Sequence, residues 1–142
     1  MSDNIIEWNL HLNSSIQKVY KYLSTQDGRE KFWAESAPDS NNYIDFTFPN
    51  GQQYKGKIIV NNPYTHFRIE YFNSIVDFYL TEDELGGTDL KIRNTKVSEK
   101  DYQTNYAGWV SLLLILKAAI DYNIDLRNHN RNKTWDHKYV DN

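Results

Sequence analysis

The sequence predicts an α+β protein: a curved six-stranded antiparallel sheet wrapped around one long C-terminal helix, with two short helices between strands 1 and 2. Three observations predict it. Apolar residues alternate with period two over 5–12 and again in successive runs between 43 and 95. Turn signals at Pro49-Asn50-Gly51, Asn61-Asn62-Pro63, Asn73-Ser74 and Gly86-Gly87 separate those runs at near-regular spacing. The period then changes to that of a helix and holds over 99–122.

In strand 1, Ile6, Trp8, Leu10 and Leu12 point one way, with Glu7, Asn9 and His11 opposite. Ile16, Val19, Tyr20 and Leu23 then follow i, i+3, i+4, i+7, one helix face, and Ser14 with Gln17 reads as a capping box opening that helix. After Gly28, residues 29–35 form a second short helix carrying Phe32 and Trp33, stopped by Pro38. The meander follows. Ile44, Phe46 and Phe48 share a face; so do Tyr54, Gly56, Ile58 and Val60; then Phe67, Ile69 and Tyr71; then Val76, Phe78 and Leu80; then Leu90 and Ile92. The Asn-Gly pair tolerates the positive φ of a tight hairpin turn. In the long helix Tyr102, Tyr106, Trp109, Leu113, Leu116 and Ile120 make one stripe, opened by Ser98 with Asp101 and closed by Asn123, which suits the left-handed cap. Its 99–122 span is roughly 36 Å, enough to cross a sheet. Residues 1–142 read as a single domain, of which 127–142 are a polar C-terminal tail with the aromatics Trp135 and Tyr139.

Composition narrows the chemistry. Acidic residues exceed basic ones, 19 to 16, for a formal charge of −3, and no basic patch stands out, so nucleic acid is not an expected partner. Cysteine is absent, which removes disulfides, thiolate nucleophiles and thiolate metal ligands. The N-terminal stretch lacks a basic region followed by a long apolar one, so no signal peptide is expected. The longest apolar stretch, 109–120, is broken by Ser111 and Lys117 and falls short of the ~20 residues a membrane span needs. The expectation is a cytoplasmic protein without membrane contact.

Catalytic candidates are weak. By alternation His11 and His66 lie on outward strand faces, as do Asp45 and Asp77; His129 and His137 lie in the tail. Three or four converging metal ligands are not apparent, no serine has a visible histidine partner, and Gly86-Gly87 is a hairpin rather than a phosphate cradle. No enzyme activity, metal or cofactor is expected. Aromatics, by contrast, make up 15% of the chain and concentrate on inward faces. They make either a packed core or the lining of a cavity between sheet and helix. On the second reading the ligand-binding residues are Trp33, Phe46, Phe48, Tyr54, Phe67, Ile69, Tyr71, Phe78, Tyr106, Trp109, Leu113 and Leu116. The partner is then a hydrophobic or aromatic small molecule. Ring-shaped guests are preferred to long-chain acids, because Arg68 and Arg93 point outward and no inward cation meets a carboxylate. On the far side of the long helix, Leu114, Ile115 and Ala118 need a cover, either the tail or a second chain, so the protein is expected to be a monomer or a weak homodimer through Leu114 and Ile115.

Three stretches also resemble a known family. Leu12-Asn13-Ser14-Ser15-Ile16-Gln17-Lys18-Val19-Tyr20 looks like its strand-to-helix transition, and Phe32-Trp33 looks like the aromatic pair of its second short helix. Gly108-Trp109, Leu113, Leu116-Lys117 and Asp125-Leu126-Arg127 look like its GW…L..LK…DLR helix, with Asn123 where the family usually has Gly. The chain resembles the helix-grip superfamily of START domains and the birch-pollen allergen (SRPBCC), and within it the family of the C-terminal domain of the heat-shock-90 chaperone ATPase activator. That resemblance implies the helix-grip fold. It also implies the heat-shock-90 chaperone as an alternative partner and, more remotely, an enzyme of the superfamily.

Overall fold

The computed structural model describes residues 4–142. A seven-stranded, wholly antiparallel sheet has the order β1-β7-β6-β5-β4-β3-β2. Its strands are β1 (Asn4–Leu12), β2 (Asp39–Ser40), β3 (Tyr43–Thr47), β4 (Gln53–Asn62), β5 (His66–Tyr71), β6 (Ser74–Glu82) and β7 (Thr88–Val97). The helices are α1 (Ile16–Ser24), α2 (Gln26–Glu30) and α3 (Glu99–Tyr122), with a 3₁₀ turn at Trp135–His137. The sheet thus has seven strands rather than the expected six. The extra strand, β2, is a two-residue pairing of Asp39 and Ser40 with Ile44 and Tyr43, too short to leave an alternation.

Cap chemistry decides the helix starts. α1 is capped by Ser15, whose hydroxyl accepts from Lys18 N, and not by Ser14. Ser14 instead joins a cluster on the last turn of α3: its Oγ donates to Asp121 (2.7 Å), as do the amides of Asn13 (2.9 Å) and Ser14 (3.1 Å). α2 spans 26–30, earlier than the 29–35 expected, because Thr25 caps it by accepting from Gly28 N. Phe32 and Trp33 follow it in a turn. Arg29, fully buried, donates to Leu23 O, Ala37 O and Asp39, which anchors that turn. α3 occupies its expected span, and Asn123 ends it at φ 54°.

The alternation holds over most of the sheet, and departs where the backbone bulges. Ile58 pairs with Ile69 but Val60 with Arg68, so the register slips by one between them. Val60 therefore leaves the inner face, and Asn61 takes the place on it, accepting from the Tyr20 hydroxyl. The inner face also carries Asn94 and Thr88, both buried. Asn94 accepts from Trp109 Nε1 (3.0 Å) and donates to Ser74 Oγ and Ile75 O (both 2.9 Å), which fixes the α3 indole against the sheet. On the outer face Asp77 is buried beneath its neighbours, paired with His66 Nε2 (2.5 Å) and Arg68 Nε (2.6 Å).

The polar segment after α3 is docked on the rest of the molecule. Arg127 is buried and donates to Ala34 O (3.1 Å) and Glu30 O (2.8 Å), while Thr134 is wholly buried. Asn50 Nδ2 donates to Asp136, and Ser111 Oγ to Val140 O. The tail is a strap across the end of the molecule where α2, the β3–β4 turn and α3 meet. Ile115 is 4% exposed and Leu114 is 54% exposed, so the expected outward pair is split: Ile115 faces inward and Leu114 faces water.

Candidate functional site

Trp33, Tyr71 and Trp109 meet at the centre of this end of the sheet. Their ring centroids are 5.7 Å (Trp33–Tyr71), 5.7 Å (Tyr71–Trp109) and 6.5 Å (Trp33–Trp109) apart. Trp33 arrives from the turn that Arg29 anchors, Tyr71 from the last position of β5, and Trp109 from the middle of α3. Above them opens a cavity of about 450 Å³. This is within the range of small-molecule sites.

Each wall comes from a different element. The β3–β4 turn gives Phe48, Pro49, Asn50 and Gln52; the β5–β6 turn gives Phe72 and Asn73; the strap gives Trp135, Asp136 and Asn142. α3 gives Asp101, Thr104, Asn105, Gly108, Ser111, Leu112 and Ile115, whose three- and four-residue spacing is one helix face. It adjoins the Trp109–Leu113–Leu116–Ile120 stripe that packs on the sheet.

The β5–β6 turn is unusual. It is centred on Phe72 (φ 47°) and Asn73 (φ 61°), one residue earlier than Asn73-Ser74. Two positive φ values are what a two-residue primed hairpin demands, and Asn meets that demand easily. A bulky aromatic does not, and costs on the order of 1 kcal/mol or more there. Phe72 stacks on Tyr54 at 4.2 Å and lies 4.8 Å from Tyr71, so the strained residue is one that builds the cavity wall.

Polar groups set the cavity's chemistry. Trp33 Nε1 donates to the Tyr71 hydroxyl (3.2 Å). Burial drives the Tyr71 hydroxyl far above its ordinary value of 10.0, so it stays a phenol. Its proton has no acceptor within hydrogen-bond reach among the described residues and is available to a guest. Desolvation likewise raises Tyr54.

Of the residues expected to bind a ligand, Trp33, Phe48, Tyr71 and Trp109 line this cavity. Phe46, Phe67, Ile69, Phe78, Leu113 and Leu116 do not. They are buried in the core behind it, packed edge to face and side by side in the manner of a solid interior. Phe46 and Tyr54 also border a second hollow of about 350 Å³ over the β3–β4 hairpin. Tyr106 is 39% exposed and packs tilted against Trp8 at 4.8 Å, outside the cavity lining. His66, Asp45 and Asp77 are absent from the lining of the first cavity, and among the described residues no group of three His, Asp or Glu is placed to hold a metal.

Sequence reasoning did not single out Phe72, Trp135 or the Asp101–Ile115 face of α3 as cavity walls. Phe72 sits in a turn. Trp135 is brought in by tertiary contacts of the strap. The α3 face reads as a solvent face, because it is mostly polar and small. One signal was available: Thr104, Gly108 and Ser111 place small residues along one side of a long helix, with Gly at its middle.

No known protein family matches the chain by sequence, and no curated protein matches it. Solved structures do. The chain is similar to a protein from Staphylococcus saprophyticus at a TM-score of 0.76 and 14% identity, covering 87% of this chain and 96% of that one. It is similar to the Aha1 protein of Colwellia psychrerythraea, solved as a dimer, at a TM-score of 0.74 and 22% identity, covering 86% and 98%. It is also similar to DynU16, a protein of the dynemicin biosynthetic locus, at a TM-score of 0.73 and 14% identity, covering 87% and 49%. At these identities the likeness shows a shared fold. No helix among the described residues is long and apolar enough to cross a membrane.

Proposed function

We propose that this chain is a binding module for a small, ring-shaped organic molecule, held in the cavity at the strapped end of a helix-grip fold. One observation carries the reading: a cavity of about 450 Å³ walled by Trp33, Phe48, Tyr71, Phe72, Trp109 and Trp135. Flat π-faces favour rings through offset and edge contacts of about 0.5–1.5 kcal/mol beyond area burial. The Tyr71 hydroxyl adds a proton for one acceptor atom of the guest. Among the described lining residues there is no lysine, arginine or histidine to meet the carboxylate of a long-chain acid. Catalysis is no part of the proposal, and the site of action is taken to be the cytoplasm.

A thermal-shift screen of aromatic compounds against long-chain acids tests this. A ring compound at a hundred times its dissociation constant stabilises the fold by ~2.7 kcal/mol, a Tm rise of roughly 5–10 °C. If long-chain acids shift Tm and ring compounds do not, the reading fails. The second reading is a protein-interaction domain acting with the heat-shock-90 chaperone. It is supported by the likeness in fold to the Aha1 structure and by the exposed apolar side chains Val110 and Leu114 on α3. Co-purification with the chaperone and a change in its ATP turnover would favour that reading.

A further inference from the structure

We propose that the preferred guest of the cavity is an aromatic cation, such as a ring bearing a quaternary or protonated amine. This rests on the reading that the cavity binds ring-shaped molecules, and it adds the sign of the guest's charge.

Two features of the cavity lead to it. Its walls are aromatic, and the negative quadrupole of an aromatic ring attracts a cation lying over its face. Its only charged lining residues among those described are carboxylates, Asp101 from the first turn of α3 and Asp136 from the strap, so they come from two different walls. Neither carboxylate is paired with a cationic side chain: Asp101 accepts from Ser98 Oγ (2.8 Å) and Asp136 from Asn50 Nδ2 (2.7 Å). Each is held in place by a neutral donor. A cation seated over the indoles thus meets favourable quadrupoles beneath it and negative charge at the rim; an anion meets both with the wrong sign.

Two opposing charges bear on the size of the effect. The N-terminus of α3 carries partial positive charge, which Glu99 and Asp101 of its own first turn offset. Arg131 reaches the β3–β4 turn, its Nη2 3.2 Å from where a Cβ at Gly51 would stand, without lining the cavity. Each carboxylate thus has one opposing charge on its own side, the helix end by Asp101 and Arg131 by the Asn50-Gly51 turn that holds Asp136, and neither dominates.

The test compares benzyltrimethylammonium with neopentylbenzene, which has the same shape with carbon in place of the charged nitrogen, and with phenylacetate as the anion. Binding to the full chain is followed by NMR titration of the indole resonances. The expected result is that the cation binds about tenfold or more tighter than its neutral isostere, and that phenylacetate binds weakest. The preference shrinks as ionic strength rises from roughly 0.01 to 1 M, over which the screening length falls from about 30 to 3 Å. Asp136→Asn and Asp101→Asn each reduce it, and the double variant abolishes it. Asn keeps an acceptor oxygen for Ser98 or Asn50, so the walls stay in place. If neopentylbenzene binds as tightly as the cation, or the preference survives in the double variant, the charge inference is overturned while the ring-binding reading stands. If none of the ring compounds perturbs the cavity indoles, both fail.

Discussion

At the scale of single residues, Gly108 shows how local rules yield to the site. Glycine in a helix interior costs about 1 kcal/mol relative to alanine. A methyl group there would lie 3.9 Å from Trp135 Cζ2, an ordinary contact. Gly108→Ala is therefore expected to stabilise the fold by about 0.5–1 kcal/mol, read as a higher denaturation midpoint with an unchanged slope. It also narrows the cavity between α3 and the strap, so ring compounds should bind the variant more weakly. A destabilised variant would mean that Trp135 cannot give way. Phe72 makes the same point with the opposite residue type: a side chain ill-suited to positive φ is kept where its ring faces the cavity.

At the scale of elements, the strap is the least regular segment, and a cluster of ionic contacts centred on His129 and Asp125 helps to hold it. His129 lies between Glu35 (2.8 Å) and Asp125 (2.7 Å), and Asp125 also holds Arg127 (2.9 Å). The hydrogen bond to Asp125 raises the His129 pKa above 6.5, partly countered by desolvation and helped by Glu35. Burial pulls Asp125 up, but Arg127 and His129 more than offset it and hold it well below the usual carboxylate range. A raised imidazole pKa means that the docked strap favours the protonated ring. Its contribution is complete below pH 6.5 and is lost as the pH rises through the raised value. The strap is thus expected to loosen on the alkaline side, seen as a shift of the Trp135 indole resonance, with the Trp8 indole unmoved. His129→Gln should remove that pH dependence. A Trp135 signal constant through the titration would show that Arg127 and the neutral contacts hold the strap alone.

These elements differ in how legible they were in the sequence. α3 was readable in full because its 3.6-residue stripe is long and Asn123 marks its end. The strands were readable because Phe46, Phe67 and Phe78 alternate with polar neighbours. The bulge between Ile58 and Val60 was not, since an extra residue inserts without changing composition. β2 left too few residues for a period. The strap's docking rests on Arg127 meeting two carbonyls some ninety positions earlier in the chain, a tertiary fact with no local signature. Half-legible sites follow from the same physics. Trp33, Phe48, Tyr71 and Trp109 were found as inward aromatics, but inward position alone does not separate a cavity wall from packed interior. Phe67, Ile69 and Leu116 share the inward aspect and are closed in on every side.

At the scale of the whole molecule, the sheet and α3 make a solid core at one end and an aromatic-walled cavity at the other, with the strap as its third side. The likeness to the Staphylococcus saprophyticus, Aha1 and DynU16 structures is one of fold. What this chain does depends on the cavity, because a fold hosts many functions and the site decides among them. The four tryptophans make the central claim directly measurable. Trp33, Trp109 and Trp135 line the cavity, while Trp8 lies outside it, its Nε1 donating to Tyr106 O (3.4 Å). Titrating a small aromatic compound into the protein and following the four indole N–H resonances is the most direct test. The account predicts saturable shifts of Trp33, Trp109 and Trp135 with a common dissociation constant and a still Trp8. Shifts of Trp8 alone, or none at all across a range of ring compounds, would contradict it.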